Sequence, residues 1–220
     1  MAVVTEFPPR PVPPAELLER WLPRAFAEAD LPDDVRKSDM RLGLCLEGSG
    51  GGEWVLHVEN GALQVMSASR DDTSFTFVQS VDDWRGALWE GRGGAIGQAA
   101  AGLFRPGART AAAGAAGMGG APPPAALEQM RSLNGLVRVV VKGGEGGDFS
   151  VGFKLGPGAI PAQPSATLSL DAADAAAMER GELDPLAAFM AGRIRVEGDM
   201  GLVMQMQAIS MQAQMAAAKK

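Results

Sequence analysis

The sequence predicts an α+β fold in which an antiparallel sheet is covered on one face by helices. Runs of alternating apolar and polar residues, typical of strands, are separated by glycine-rich turns. Each set of strands leads into a short helix that stops at a glycine, and this order occurs twice along the chain. We therefore predict two similar halves, each a small antiparallel sheet with helices on one face, that arose by a degenerate tandem duplication.

A helix with a proline-rich lead-in occupies residues 1–34. Its first part, FPPRPVPP, is an extended segment stiffened by proline. In PAELLERWLPRAFAEAD, apolar residues recur at helical spacing, and Pro23 is expected to bend or interrupt the helix. The lead-in is either a docking peptide for an aromatic groove or a tail that fixes the first helix, and we favour the second interpretation.

Residues 35–110 form the first predicted half. The alternating leucines of RLGLCLE indicate a strand, and EWVLHV indicates a second strand after the GSGGG turn. Asn60-Gly61 is a strong hairpin signal that leads into a third strand, and SFTFV is the fourth. DDWRGALWEG is then a short helix that ends at Gly91.

Residues 125–220 form the second predicted half, after a Gly/Ala/Pro linker at 111–124. A short helix, ALEQMRSL, precedes three strands: GLVRVVVKGG, GGDFSVGFKLG and SATLSLD. AADAAAMERG is a helix that ends at Gly181. Placing GGGEWVLHV beside EGGDFSVGF aligns Trp54 with Phe149, and this alignment supports the duplication hypothesis.

Composition argues against several classes of function. The formal net charge is -6 and no basic face is visible, so a nucleic-acid partner is not expected. Cys45 and His57 are the only residues of their kinds, which rules out disulfides within the chain and Cys/His metal clusters. No set of nucleophile, base and orienting residue can be assembled, so we predict neither catalysis nor a cofactor. No secretory signal is indicated, and we expect a cytoplasmic location.

The final helix is uncharged from Met200 to Ala218, and glutamines interrupt its apolar residues. At 100° per residue it has two opposite apolar stripes, whereas a surface helix ordinarily has one. The first stripe, bordered by Val203, contains Met200, Met204, Met211 and Met215. The second contains Leu202, Met206 and Ile209. Two stripes require two partners: the sheet, and either a ligand, a second helix or another subunit.

The segment GELDPLAAFMAGRIRVEGDMGLVMQMQ resembles the C-terminal part of the sterol carrier protein type-2 family. The shared order is a helix-ending glycine, Asn/Asp-Pro, an aromatic residue, a short strand, Gly-Asn/Asp and a Met-Gly-Leu-x-Met segment. In this chain the corresponding residues are Gly181, Asp184-Pro185, Phe189, Gly192 to Val196, Gly198-Asp199 and Met200 to Gln207. The resemblance covers residues 125–215, and in the first half it is limited to the strands and DDWRGALWEG.

The resemblance implies a tunnel for an apolar ligand between the sheet and the helices. Members of the family bind sterols, fatty acids, fatty acyl-CoA or phospholipids without altering them. We expect the tunnel beside the methionine-rich helix, with Gln207 available to a ligand headgroup. The expected lining residues are Phe149, Phe153, Leu168, Phe189, Ile194, Val196, Met200, Val203, Met204, Gln207 and Met211.

The alternative is a structural or oligomerisation module that keeps the fold with a filled cavity. Bulky aromatic residues in the first half favour filling there: Trp54, Phe75, Phe77, Trp84 and Trp89. The sequence leaves open a transient membrane contact, a homodimer and an enzyme partner.

Overall fold

The computed structural model describes residues 6–30, 37, 39–105 and 124–217. The predicted Gly/Ala/Pro linker at 111–124 lies outside the described residues, except for Pro124.

Eight strands of the described chain form one sheet. They are β1 (Met40–Glu47), β2 (Gly52–Glu59), β3 (Ala62–Met66), β4 (Phe75–Ser80), β5 (Gly135–Gly144), β6 (Gly147–Leu155), β7 (Ala166–Asp171) and β8 (Arg195–Gly198). Their order is β3-β2-β1-β4-β6-β5-β7-β8. The pairs β1–β4 and β5–β7 are parallel, and the other five pairs are antiparallel. The α+β class is confirmed, although the two parallel pairs were not predicted.

The two predicted halves meet in this single sheet, which differs from the expectation of one small sheet in each half. The junction is the antiparallel pair β4–β6, in which Phe77 lies opposite Phe153. In both halves the first strand of a hairpin also pairs with a later, parallel strand: β1 with β4, after the intervening β3, and β5 with β7. This repeated order is what a duplication would produce, and the duplication itself remains a prediction.

Seven α-helices and two π-helical turns complete the described part of the chain. The helices are α1 (Leu22–Glu28), α2 (Val81–Arg85), α3 (Gly94–Gly102), α4 (Pro124–Met130), α5 (Ala172–Glu179), α6 (Pro185–Met190) and α7 (Met200–Ala217). The π-helical turns, Glu16–Trp21 and Gly86–Glu90, adjoin α1 and α2. Pro23 lies in the first turn of α1, just after the wider turn. Because Pro23 has no N–H to donate to a carbonyl one turn earlier, the interruption expected there takes the form of a π-helical turn.

One face of the sheet, the inner face, packs against the helices. Across the strands Leu44 is paired with Phe77, Phe77 with Phe153, and Phe153 with Val137, so these side chains share that face. They belong to one buried cluster that includes helical residues such as Leu202. Coverage of one sheet face by helices, as predicted, therefore defines the core.

The opposite, outer face contains a buried ammonium group. Lys154 is fully buried, and its Nζ donates to the carbonyls of Leu155, Gly156 and Pro157 at 2.8, 2.9 and 3.0 Å. Burial lowers the pKa of Lys154, and the nearby positive charge of Arg70 lowers it further. The three carbonyls hold the turn after β6 around the ammonium group, so Lys154 is structural.

Candidate functional site

A glycine-aspartate turn positions α7, the helix on which the candidate site is built. Gly198 has a left-handed backbone (φ 88°) and lies against the carbonyl of Ser165, where a side chain would not fit. The Asp199 carboxylate accepts a hydrogen bond from the backbone N–H of Leu202 at 2.9 Å, which caps the helix. The Asp199 N–H donates to the carbonyl of Ser165 at 2.8 Å, so α7 begins at a fixed place beside β7.

One side of α7 is buried in the core. Leu202, Val203 and Met206 are buried, and Ile209 is half-buried. Leu202 contacts Gly135 at the start of β5, where an added methyl group would lie 2.5 Å from a Leu202 methyl carbon. The predicted stripe of Leu202, Met206 and Ile209 is therefore the side that faces the rest of the protein. Val203, which was predicted to line a ligand, is on this buried side.

The methionine stripe, defined as Met200, Met204, Met211 and Met215, faces outward. Met204 is 64% exposed, whereas Met206 is only 3% exposed. Gln207 is exposed as well. Among the described residues eight large hydrophobic side chains are exposed, and seven of these lie between Leu186 and Met215. Exposed apolar surface is thus concentrated on α6 and α7, and concentration of this kind is typical of an interaction site.

Two residues of this exposed surface were missed by the sequence reasoning. Leu186 and Met190 flank Phe189 on α6, and both are more exposed than Phe189. The sequence contained the signal, because Asp184-Pro185 marks the start of a helix. Phe189 and Met190 lie three and four residues after Leu186, which places the three side chains on one side of that helix. The Asp184 side chain caps α6 by accepting from the N–H of Ala187 at 2.9 Å.

The predicted sheet residues lie on the inner face and are covered by protein. Phe153 packs against Phe75 and Phe77, with ring centroids 5.7 and 5.3 Å apart. Phe149 contacts Gly93, where an added methyl group would lie 2.5 Å from the Phe149 ring. Residues of the first half therefore occupy the space next to both phenylalanines. Three further predicted residues belong to or pack against the same core cluster: Leu168 and Ile194 are buried, and Val196 is half-buried.

The predicted site residues therefore separate into two groups. The buried group contains Phe149, Phe153, Leu168, Ile194 and Val203, with Val196 partly accessible. The exposed group contains Phe189, Met200, Met204, Gln207 and Met211. Their assignment to a ligand remains a prediction, and the exposed group is the part that a ligand can reach without displacing core side chains.

The chemistry of the described residues suits binding of apolar surface. The exposed stripe of α7 contains neither an acid nor a base. Burial, followed by the negative charges of Glu53 and Glu47, raises the pKa of the Cys45 thiol, which disfavours the reactive thiolate. His57 is buried, and its Nε2 lies 2.8 Å from the Asp39 carboxylate. No group of His, Cys, Asp and Glu residues in the described ranges could hold a metal ion. Within those same ranges, no helix combines the length and the apolar character needed to cross a membrane.

Comparison with protein families identifies the second half. A model described as the SCP-2 sterol transfer family matches residues 118–210. Over these residues, called the SCP-2 segment below, the chain is similar to that family. The resemblance to sterol carrier proteins stated for residues 125–215 is thereby confirmed, and it indicates lipid binding or transfer. The match does not extend into residues 35–110, so the degenerate second copy remains a prediction.

Curated relatives match part of this chain. Hydroxysteroid dehydrogenase-like protein 2 of Xenopus tropicalis is 30% identical over 87 residues, which cover 37% of this chain and 21% of the relative. The protein of the same name from Xenopus laevis matches to the same extent. The chain thus spans about a fifth of the length of these relatives.

Solved structures of sterol carrier proteins are also similar to part of this chain. Sterol Carrier Protein 2 Like 2 of Aedes aegypti is 21% identical, covers 34% of this chain and 72% of its own, and has a TM-score of 0.27. Sterol carrier protein domain 2 of Helicoverpa armigera is 26% identical, covers 40% of this chain and 72% of its own, and has the same TM-score.

Proposed function

We propose that the SCP-2 segment binds or transfers an apolar lipid without altering it, and that the lipid contacts the methionine stripe of α7. The family match supports lipid binding in general. The location is supported by one observation: seven of the eight exposed large hydrophobic side chains of the described residues lie on α6 and α7. The exposed Gln207 on the same helix is available to a lipid headgroup.

Methionine suits a surface that must fit hydrocarbons of different shapes. Its unbranched thioether has several rotatable bonds and can repack around a sterol ring or a fatty acyl chain. Burial of each methylene contributes about 0.8 kcal/mol, so roughly ten methylenes would contribute about 8 kcal/mol before the cost of association. A dissociation constant in the range of about 1 μM or below is therefore within reach of a single acyl chain.

A structural or oligomerisation role is the second candidate, and a specific observation favours it. The phenylalanines of β6 that were expected to line a tunnel are covered by Phe75, Phe77 and the start of α3. Protein side chains therefore already fill this part of the inner face. In this alternative, another subunit and not a lipid covers the methionine stripe.

Titration with fluorescent fatty acid, acyl-CoA and sterol probes tests the lipid proposal. We expect saturable binding of at least one probe to the wild-type protein. Met204→Gln and Met211→Gln should remain folded and weaken this binding, because each replaces an apolar contact with an amide that water can satisfy. Met66→Gln is the matched control, since Met66 is an exposed methionine on β3, at the far edge of the sheet.

Two results would contradict the proposal. If no probe binds saturably, the structural role is the one that survives. If Met66→Gln weakens binding as much as the α7 variants do, the probes are adsorbing to exposed methionines in general.

A further inference from the structure

Phe7, in the proline-rich lead-in, is held between Trp21, at the end of the first π-helical turn, and Trp89 of the first half. Its ring packs edge-on against Trp21, at a centroid distance of 5.1 Å and an interplanar angle of 86°. It also packs against Trp89 at 5.3 Å. The Arg105 guanidinium carbon lies 4.2 Å from the centroid of the same ring, in a cation–π contact. Three side chains from separate elements therefore surround one aromatic ring.

The same two tryptophans bind the main chain on either side of Phe7. The Trp21 indole N–H donates to the carbonyl of Glu6 at 2.8 Å. The Trp89 indole N–H donates to the carbonyl of Pro8, also at 2.8 Å. A proline-rich segment offers free carbonyls and few N–H groups, and an indole N–H can only donate. Aromatic grooves that recognise extended proline-rich peptides use this complementarity.

The residues that surround Phe7 are held in place by contacts that do not involve the lead-in. Trp89 packs edge-on against Trp84 at 5.7 Å, and Trp84 packs against Phe104 at 5.9 Å. Arg105 donates from Nη2 to the carbonyl of Leu88. Trp21 ends a π-helical turn whose Leu17 and Leu18 are buried in the core. The surroundings of Phe7 are thus formed by the first helical segment and the first half together, and their position does not depend on the lead-in.

We propose that Trp21, Trp89 and Arg105, together the tryptophan cradle, form a binding site for extended proline-rich peptides of partner proteins with an aromatic residue before the prolines. The chain's own lead-in occupies this site in cis. Because the lead-in is tethered, its effective concentration is on the order of millimolar, and a peptide in trans must compete with it. The cradle shares no residue with the methionine stripe, so the proposal is independent of lipid binding.

Weakening the cis occupant in the full-length chain tests the proposal. The variant is Phe7→Ala, and the probe is a synthetic peptide of residues 5–14, TEFPPRPVPP. We expect saturable binding with one peptide per chain by calorimetry, and an increase in the melting temperature of the variant when the peptide is added. Wild-type protein should bind the peptide at least about tenfold more weakly, because its own lead-in competes.

Two controls separate specific recognition from general stickiness. The same peptide with alanine in place of phenylalanine should lose binding, because the ring is the anchor between the indoles. Adding Trp89→Phe to the Phe7→Ala variant removes the indole N–H but keeps an aromatic ring, and it should weaken peptide binding about threefold to tenfold, the loss expected for one hydrogen bond.

A folded Phe7→Ala protein that shows no saturable binding and no thermal shift with millimolar peptide would overturn the proposal, and the lead-in would then be a structural tail alone. If Phe7→Ala does not fold, Phe7→Leu replaces it, because leucine keeps an apolar side chain at the anchor position. The same results decide the question with that variant.

Discussion

Truncation of two neighbouring methionines on α7 should have different effects on stability. Met206 is buried, with 3% of its surface exposed. Met204 lies two residues earlier, on the opposite side of the helix, and is 64% exposed. Replacing a fully buried methionine with alanine costs about 2–5 kcal/mol, because the free energy gained by removing the side chain from water is lost and a cavity remains. We therefore expect Met206→Ala to lower the free energy of unfolding by about 2–5 kcal/mol.

Met204→Ala should cost far less. Full burial of a methionine contributes about 1.5–3 kcal/mol, and roughly a third of Met204 is buried, which leaves about 0.5–1 kcal/mol. Truncation of an exposed side chain leaves no cavity in the core, so no further loss of stability is added. Both sites lie within the same helix, so the small gain in helix propensity on mutation to alanine affects both variants equally and cancels in the comparison.

Urea unfolding followed by circular dichroism measures both free energies, with unchanged m-values as the check that unfolding remains comparable. An equal loss of stability in the two variants would refute the assignment of the buried and exposed stripes. In that case something covers Met204 in solution, and repeating the measurement over a range of protein concentrations would reveal a second subunit as the cover.

Three further predictions concern stability, each measured by thermal or urea unfolding. Gly93→Ala should destabilise the protein by about 1–3 kcal/mol more than Gly91→Ala. Both glycines have left-handed backbones, but only Gly93 lies against Phe149, so equal losses of stability would contradict this contact. Asp199→Ala should lower the free energy of unfolding by about 0.5–2 kcal/mol, because it removes the cap of α7. Asp199→Asn should retain most of the wild-type stability, since asparagine also caps helices. A large loss in Asp199→Asn would show that the charge of Asp199 matters and not its capping hydrogen bond. The pKa of Lys154 is lower in the folded state than in the unfolded state, so the unfolded chain binds more protons. The stability of the wild type should therefore rise relative to that of Lys154→Met as pH increases toward about 10.4. Parallel pH profiles of stability for the two proteins would refute this assignment.

The elements that the sequence predicted well are those with local signals. The strands β1, β6 and β7 have two-residue alternation, whereas β2 and β5 have apolar runs bounded by glycines. The two sides of α7 were likewise separable, because Met204 and Met206 differ by about 200° around a helix. The glycine-rich turn and Asn60-Gly61 likewise predicted the antiparallel pairing of β1 with β2 and of β2 with β3.

The features that the sequence did not predict depend on contacts between distant segments. Nothing in SFTFV or GGDFSVGFKLG indicates that β4 and β6 pair, because register between remote strands is set by packing and not by local pattern. The surroundings of Phe149 depend on α3, which lies in a glycine- and alanine-rich stretch with a weak helical signal. The docking of Phe7 required two tryptophans that are 68 residues apart in sequence to come together.

The junction between β4 and β6 also determines how lipid binding must be measured. Phe153 is covered by Phe75 and Phe77, and Phe149 by the start of α3, all from the first half. A truncated protein that keeps only the SCP-2 segment would expose both rings and the unpaired edge of β6. Hydrophobic probes would bind to that surface whether or not the methionine stripe binds lipid. Binding to the full-length chain, compared between Met204→Gln and Met66→Gln, is therefore the measurement that reports on α7.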